Sequence, residues 1–385
     1  MTPAARVQAS IEILDDILAG APVEKALTGW ARRSRFAGSK DRAAVRDHVF
    51  EALRCKRSFS ALGGAETGRG LMIGSIRSNG GDPETLFTGE RYTPEPLTAA
   101  DAPRAFSSDS ERCDIPEWLW PRFQTSLGDQ AEAAAQVLQT RAPVHLRANL
   151  AKTDRAGAIA ALSADGICAK EHSACETALE VTEGARKVAQ SRAYTEGLVE
   201  LQDAASQAVV AALDLQPGLR VLDYCAGGGG KSLALAAHSG VEVFAHDVNA
   251  GRMRDLPMRA KRAGVRVTCL QPEDVARQAP FDIVLTDAPC SGSGSWRRAP
   301  AGKWALSEEG LHALNALQSD ILNSAAQLVG PGGIIAYATC SILDDENGNI
   351  VDGFLKLNPD WTETVRKSWL VTHGADGFFT SHLTR

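Results

Sequence analysis

Apolar positions change their spacing along the chain. Between residues 4 and 19 they recur at helical intervals, at Val7, Ile11, Leu14, Ile17 and Leu18. Val45, Val49, Phe50 and Leu53 repeat the pattern after Ser39, which reads as a helix N-cap. An all-helical first domain is predicted. From about Gly63 to Ser110 the chain is rich in Gly, Pro, Thr, Ser and Asp around one apolar patch, Leu71-Met72-Ile73, which predicts irregular structure or a linker. A helix then opens at Pro116-Glu117-Trp118-Leu119-Trp120, Val144 to Asn149 alternates like a strand, and Arg155 to Ala164 returns to helix, so a small α+β module follows. After Glu200-Leu201-Gln202-Asp203 and a helix from Ala204 to Leu213, the pattern becomes short continuous apolar runs separated by helical stretches. Leu219 to Asp223, Phe281 to Thr286 and Gly333 to Tyr337 are such runs, the signature of parallel strands covered on both faces. The expected fold is therefore α/β and doubly wound, with domains at 1–110 (helical, with the irregular linker), 111–195 (α+β) and 196–385 (the α/β core).

Composition adds little to this, because 385 residues with 44% hydrophobic and 23% charged content are ordinary for globular domains. No apolar stretch approaches the roughly 20 residues of a membrane span. Met1-Thr2-Pro3-Ala4-Ala5-Arg6 lacks the apolar core of a signal peptide, so a cytoplasmic protein with no membrane partner is expected. Cysteines at 55, 113, 168, 175, 225, 269, 290 and 340 form no C-x-x-C pair and no histidine stands at ligand spacing, which predicts reduced thiols and no metal site. The net charge of −6 hides one basic segment, in which Arg32, Arg33, Arg35, Lys40, Arg42, Arg46, Arg54, Lys56 and Arg57 face only Asp41, Asp47 and Glu51. That segment reads as a phosphate-binding face, with a solvated helix surface as the alternative.

The candidate chemistry lies at the ends of the apolar runs. Leu219 to Asp223 opens into Tyr224-Cys225-Ala226-Gly227-Gly228-Gly229-Gly230-Lys231-Ser232 and then a helix, a cradle for an anion or nucleotide. Three ligands compete for it. A P-loop is disfavoured because Cys225 stands where its first glycine belongs, and a dinucleotide fingerprint fails because Ser232 takes the last glycine position. The third is S-adenosylmethionine, with Asp247, after Val243-Phe244-Ala245-His246, as the acid for the ribose hydroxyls. Two thiols decide between them: Cys290 in Asp287-Ala288-Pro289-Cys290-Ser291 and Cys340 in Ala338-Thr339-Cys340-Ser341 each follow a strand-like run. Carbon 5 of cytosine is a poor nucleophile, and methylating it requires a thiolate to add first to carbon 6. Neither competing ligand class needs such a thiol. The remaining cysteines, at 55, 113, 168, 175 and 269, read as small buried hydrophobes, and Cys225 as a wall of the cofactor pocket.

These segments resemble the RNA cytosine-5 methyltransferases of the Nol/Nop/Sun group, and within it the bacterial small-subunit rRNA enzymes. Asp223 to Lys231 is similar to the family's D-x-C-A-A-P-G-G-K loop, Asp287 to Gly294 to D-A-P-C-S-x-x-G, and Tyr337 to Asn347 to Y-x-T-C-S followed by E-N. Arg297-Arg298-Ala299-Pro300 with Lys303-Trp304, Gln202-Asp203 and Asp376-Gly377-Phe378-Phe379 match further family segments, and the first domain resembles a NusB-like RNA-binding domain. The resemblance implies a Rossmann-like class I methyltransferase core, S-adenosylmethionine as cofactor, RNA as partner, small-subunit rRNA before tRNA, and a monomer. It implies Cys340 as nucleophile, Cys290 as the thiol that assists proton removal or release, and Asp287 at the base edge. Cys225, Ala226, Gly227, Gly228, Gly229, Gly230, Lys231, Asp247, Asp274 and Asp287 are then the expected cofactor contacts, with Glu273 the alternative to Asp274 at the adenine. Gly227 and Gly228 replace the family's alanine and proline, which makes the loop costlier to order. A cofactor-binding assembly factor without turnover is the non-enzyme alternative.

Overall fold

A computed structural model describes residues 1–385, which divide into two compact units. The first comprises Met1–Gln124, Gly128–Arg141 and Trp296–Leu306, and the second Thr125–Leu127, Ala142–Ser295 and Ser307–Arg385.

The first unit is helical: α1 (Pro3–Leu18), α2 (Val23–Arg33), α3 (Ser39–Arg54), α4 (Lys56–Gly63) and α5 (Gly68–Ser78), with shorter helices beyond. Val7, Leu14, Val45, Val49 and Leu53 are buried in one core, as their spacing predicts. The irregular stretch expected from Gly63 is corrected by α5, whose Leu71, Met72 and Ile73 are all buried. The glycines that suggested a loop are packing residues. A Cβ on Gly74 would lie 2.0 Å from the Phe59 carbonyl oxygen, and one on Gly70 would lie 2.1 Å from that of Ala65. Only glycine lets α4 and α5 approach so closely.

Residues 296–306, expected within the C-terminal domain, pack in this helical unit. Lys303 Nζ donates to the Arg54 carbonyl (2.9 Å) and Trp304 Nε1 to that of Leu53 (2.6 Å), while Arg54 Nε donates to the Arg297 carbonyl (2.6 Å). The last carbonyls of α3 have no partner within the helix, so this segment caps them and sets a cation at the negative end of the helix dipole. The basic segment is also divided: Arg54 is buried, and Arg46, Lys56 and Arg57 pair with Glu24, Glu66 and Glu117. Its other end, around the α2–α3 turn, keeps Arg32, Arg33, Arg35 and Lys40 on the surface beside Phe36, which is 76% exposed.

The second unit holds two sheets. Strands β1 (Val144–Ala148), β2 (Cys168–Glu171), β3 (Ala178–Glu183) and β4 (Val199–Leu201) form an antiparallel sheet in the order β2-β3-β1-β4. Its inner face, with Leu146, Leu179 and Val199, covers the helix Arg155–Ala164 through Ala158 and Leu162. The larger sheet contains β5 (Arg220–Asp223), β6 (Glu242–Ala245), β7 (Thr268–Cys269), β8 (Phe281–Asp287), β9 (Val329–Thr339), β10 (Thr362–Trp369) and β11 (Phe378–Thr384) in the order β10-β11-β9-β8-β5-β6-β7. Strands β5 to β9 pair in parallel, whereas β10 and β11 are antiparallel, so the alternation of strand and helix does not run to the end of the chain. The order reverses between β5 and β8, and ligands in such sheets bind outside the carboxyl ends at that reversal. No helix is long and apolar enough to cross a membrane. Cys168 and Cys269 are exposed rather than buried, because both sit on the outermost strands of their sheets, β2 and β7.

Candidate active site

Four strand ends converge on one cavity of 860 Å³. Asp223 ends β5, Asp247 lies two residues beyond β6, Asp287 ends β8 and Thr339 ends β9. The glycine loop, Asp247, Asp287, Cys290 and Cys340 line this space together. Gly229 is the loop residue that does not, because it is the N-cap of the helix Gly230–Ala236 at φ +78°, with Leu256 filling the place of a Cβ.

The two thiols are in contact, Sγ to Sγ 3.3 Å. Parallel pairing brings them together: Asp287 is opposite Ala338, the Ala288 amide donates to the Ala338 carbonyl (2.8 Å), and the Gly294 amide donates to the Cys340 carbonyl (3.0 Å). Glu346, fully buried, ties both thiol loops. Its carboxylate accepts from the Ser291 amide (2.7 Å), Ser291 Oγ (2.5 Å), Ser341 Oγ (2.5 Å) and Gln318 Nε2 (3.0 Å). Asn347 extends the frame by accepting from Thr339 Oγ1 (2.5 Å) and donating to the Ser341 carbonyl (3.0 Å). The Cys340 sulfur in contact with it, then burial and the Glu346 charge, push the Cys290 thiol well above its ordinary value. Cys290 therefore holds its proton. Burial pushes Cys225 up as well, so this thiol is an unreactive pocket wall.

Around the loop, Asp247 is buried and accepts from the Gly227 amide (2.9 Å) and the Asn249 amide (2.9 Å). Arg252 pairs with Asp247 at 3.2 Å and lines the cavity. Arg259 donates to the Gly228 carbonyl, so two arginines hold the loop that lacks the family's proline. Gly227 has φ +53°, and a Cβ there would meet Arg252 Nη2 at 3.1 Å, which accounts for glycine at that position. Nothing in the sequence within the loop points to these arginines; they come from the stretch after β6. Lys231 is buried and pairs with Asp287 at 2.7 Å, its ammonium 4.9 Å from the Phe378 ring centre. Asp274, in a short 3₁₀ turn, pairs with Arg277 at 3.0 Å; at that wall the cavity is lined by Pro272 and Val275, and Asp274 and Glu273 are not part of the lining.

The residues present fit S-adenosylmethionine. Asp223 is buried, receives Ser232 Oγ on one oxygen (2.6 Å) and leaves the other, Oδ1, without a partner. Burial raises its pKa to about 6. The bare glycine backbone, the unpartnered Asp223 oxygen and the acid after β6 are an acceptor-rich cradle suited to a cationic, nucleoside-bearing ligand.

Residues 210–384 match the family model described as 16S rRNA methyltransferase RsmB/F, and residues 115–188 the model of an RsmF/B-like ferredoxin-like domain. The chain is 35% identical over 265 residues to the ribosomal RNA small subunit methyltransferase B of Citrobacter koseri, a stretch covering 67% of this chain and 62% of that protein. The protein of the same name from Xanthomonas campestris is 36% identical over 263 residues, 66% of this chain and 60% of the relative. The chain thus spans about three-fifths of the length of these curated relatives. Among solved structures, PH0851 superposes with a TM-score of 0.75 at 24% identity, covering 100% of this chain and 99% of the other, which shows the shared fold.

Proposed function

We propose that this chain, which belongs through residues 115–188 and 210–384 to the 16S rRNA methyltransferase RsmB/F family, methylates carbon 5 of a cytidine in RNA, small-subunit rRNA first. The observation that carries the reading is the pair of thiols 3.3 Å apart in the cavity that also holds the glycine loop. When bound, S-adenosylmethionine supplies an electrophilic methyl group on a sulfonium. The chain's residues make the base nucleophilic and restore it afterwards.

By the family resemblance of Thr339-Cys340-Ser341, Cys340 is the sulfur that attacks carbon 6, with Cys290 in contact beside it. The attack moves electron density to carbon 5. After methylation the carbon-5 proton passes to water, its electron pair re-forms the carbon 5–carbon 6 double bond, and the Cys340–carbon 6 bond breaks to return the Cys340 thiolate and the aromatic base. Cys290, in contact with Cys340, is placed to assist that last stage. Asp287, held by Lys231 at 2.7 Å, meets the edge of the base and orients the ring. Asp247 takes the ribose, and Asp274 turns towards the adenine only by releasing Arg277. The base must leave its stack to reach both thiols, which favours unpaired or opened RNA.

The test is methyl transfer from radiolabelled S-adenosylmethionine to small-subunit rRNA, comparing the wild type with Cys340→Ala and Cys290→Ala. Loss of turnover in Cys340→Ala, with protein trapped on RNA only in Cys290→Ala, supports the roles. The reverse pattern exchanges them, and label entering tRNA alone replaces the substrate. Normal cofactor binding without label in any RNA favours an assembly factor.

A further inference from the structure

On the four-stranded sheet, outside the cavity lining, His145, His172 and Glu180 present one ligand atom each within 4.8 Å of one another. We propose that they form a binding site for a single divalent transition-metal ion of the zinc type. His145 on β1 and Glu180 on β3 are cross-strand partners, so their side chains share one face. The chain leaving β2 brings His172 over them, its ring edge-on to His145 with centroids 4.9 Å apart.

The decisive group is His145. Its side chain is fully buried, and Nδ1 lies 2.9 Å from Asp203 Oδ2. The Asp203 carboxylate also accepts from the Ala205 amide (2.8 Å) and the Asp376 amide (3.2 Å), and the Ala204 amide points at the same ring nitrogen, His145 Nδ1 (3.3 Å). All of these contacts are made at Nδ1, and Nε2 is buried and without any partner. A carboxylate held at one ring nitrogen while the other is left free is the outer-shell arrangement of metal-bound imidazoles. His172 is itself buried beside that ring. Its Nδ1 accepts from the Ala174 amide (3.2 Å), leaving Nε2, and Gly374 keeps the space beside that nitrogen open. Glu180 has one competing contact, an exposed pair with Lys170 at 3.2 Å. Such a surface pair is weak and yields to a dication.

Two imidazoles and one carboxylate suit zinc, with water completing the shell. Zinc–nitrogen bonds of about 2.0–2.1 Å imply ligand separations near 3.4 Å. The ligand atoms, within 4.8 Å of one another, must therefore draw together when the ion binds. An open cleft of 430 Å³, lined by His172, Glu171 and Cys175, brings solvent to the His172 side of the site. Bound there, it clamps β1 to β3 and to the turn after β2.

The experiment is zinc titration of the metal-free full chain by calorimetry, repeated on a Cys290→Ser/Cys340→Ser double variant to remove the thiol pair as a competitor. One equivalent is expected in both, and His172→Ala and Glu180→Gln should each weaken binding by at least about tenfold. Cobalt substitution should give a visible spectrum without the charge-transfer band of thiolate ligands. Zinc binding lost in the double-serine variant but kept in His172→Ala would overturn the site, as would no binding by wild type or a cobalt spectrum dominated by thiolate.

Discussion

Glu346 is the residue whose replacement tests most directly how the two thiols are held. Its buried carboxylate accepts four hydrogen bonds, two from Ser291, one from Ser341 and one from Gln318. Ser291 follows Cys290 and Ser341 follows Cys340, so a single side chain fixes both loops. Glu346→Ala leaves those donors without their acceptor in a site with no solvent exposure. At a net 1 kcal/mol or so for each bond, with further cost for buried donors left unpaired, the loss is about 3–5 kcal/mol. Glu346→Gln keeps one carbonyl for the Ser291 amide and Gln318, and its amino group can donate to the two serine hydroxyls, so about 1–2 kcal/mol is expected. The charge also acts on the thiols. The Glu346 carboxylate helps to hold the Cys290 pKa up, so Glu346→Gln lowers it and Cys290 becomes more reactive at a given pH. Urea denaturation measures the first effect, and the pH–rate profile of alkylation in a Cys340→Ala background the second. An alanine variant costing under about 1 kcal/mol, or a Cys290 profile unmoved by the glutamine, would refute the frame described for this site.

Further predictions follow from other parts of the molecule. Asp223 is raised from 3.8 to about 6, so the folded state keeps a proton that the unfolded chain releases. Stability is full below pH 4 and falls as pH rises towards 6, by roughly 3 kcal/mol; Asp223→Asn should flatten that slope in pH-dependent denaturation. Gly74→Ala places a methyl 2.0 Å from the Phe59 carbonyl and should destabilise the helical unit by about 3 kcal/mol or more, whereas an alanine at Gly20, with open space around it, should cost only its left-handed φ, about 1–2 kcal/mol. Arg33→Ala/Arg35→Ala should reduce the salt dependence of RNA binding, read by fluorescence anisotropy, by about 1.4 in the logarithmic slope. Phe36→Ala should weaken binding without changing that slope, because a stacked base releases no counterions.

Much of the α/β core was legible because its strands are continuous apolar runs. Cys290 and Cys340 follow two of them directly, and parallel pairing of β8 with β9 was enough to join them. Helix α5 was not legible, because a glycine that permits close packing and a glycine that breaks a helix have the same composition signal. Arg252 and Arg259 were hidden for a different reason: a surface arginine and one folded back onto a loop differ only in tertiary position. The histidines at 145 and 172 stand too far apart in sequence to read as ligands, and only the pairing of β1 with β3 shows what faces them.

The capping of α3 by residues 296–306 has a bearing on biosynthesis. A chain is made from its N-terminus, and domains generally fold as they emerge. Here the helical unit emerges first, yet the carbonyls of Leu53 and Arg54 find their donors only when Lys303 and Trp304 have been made. Most of the second unit, from Ala142 to Ser295, must be translated before these caps can form. The two cannot be separated by one cut, and a nascent N-terminal half lacks the donors that cap α3.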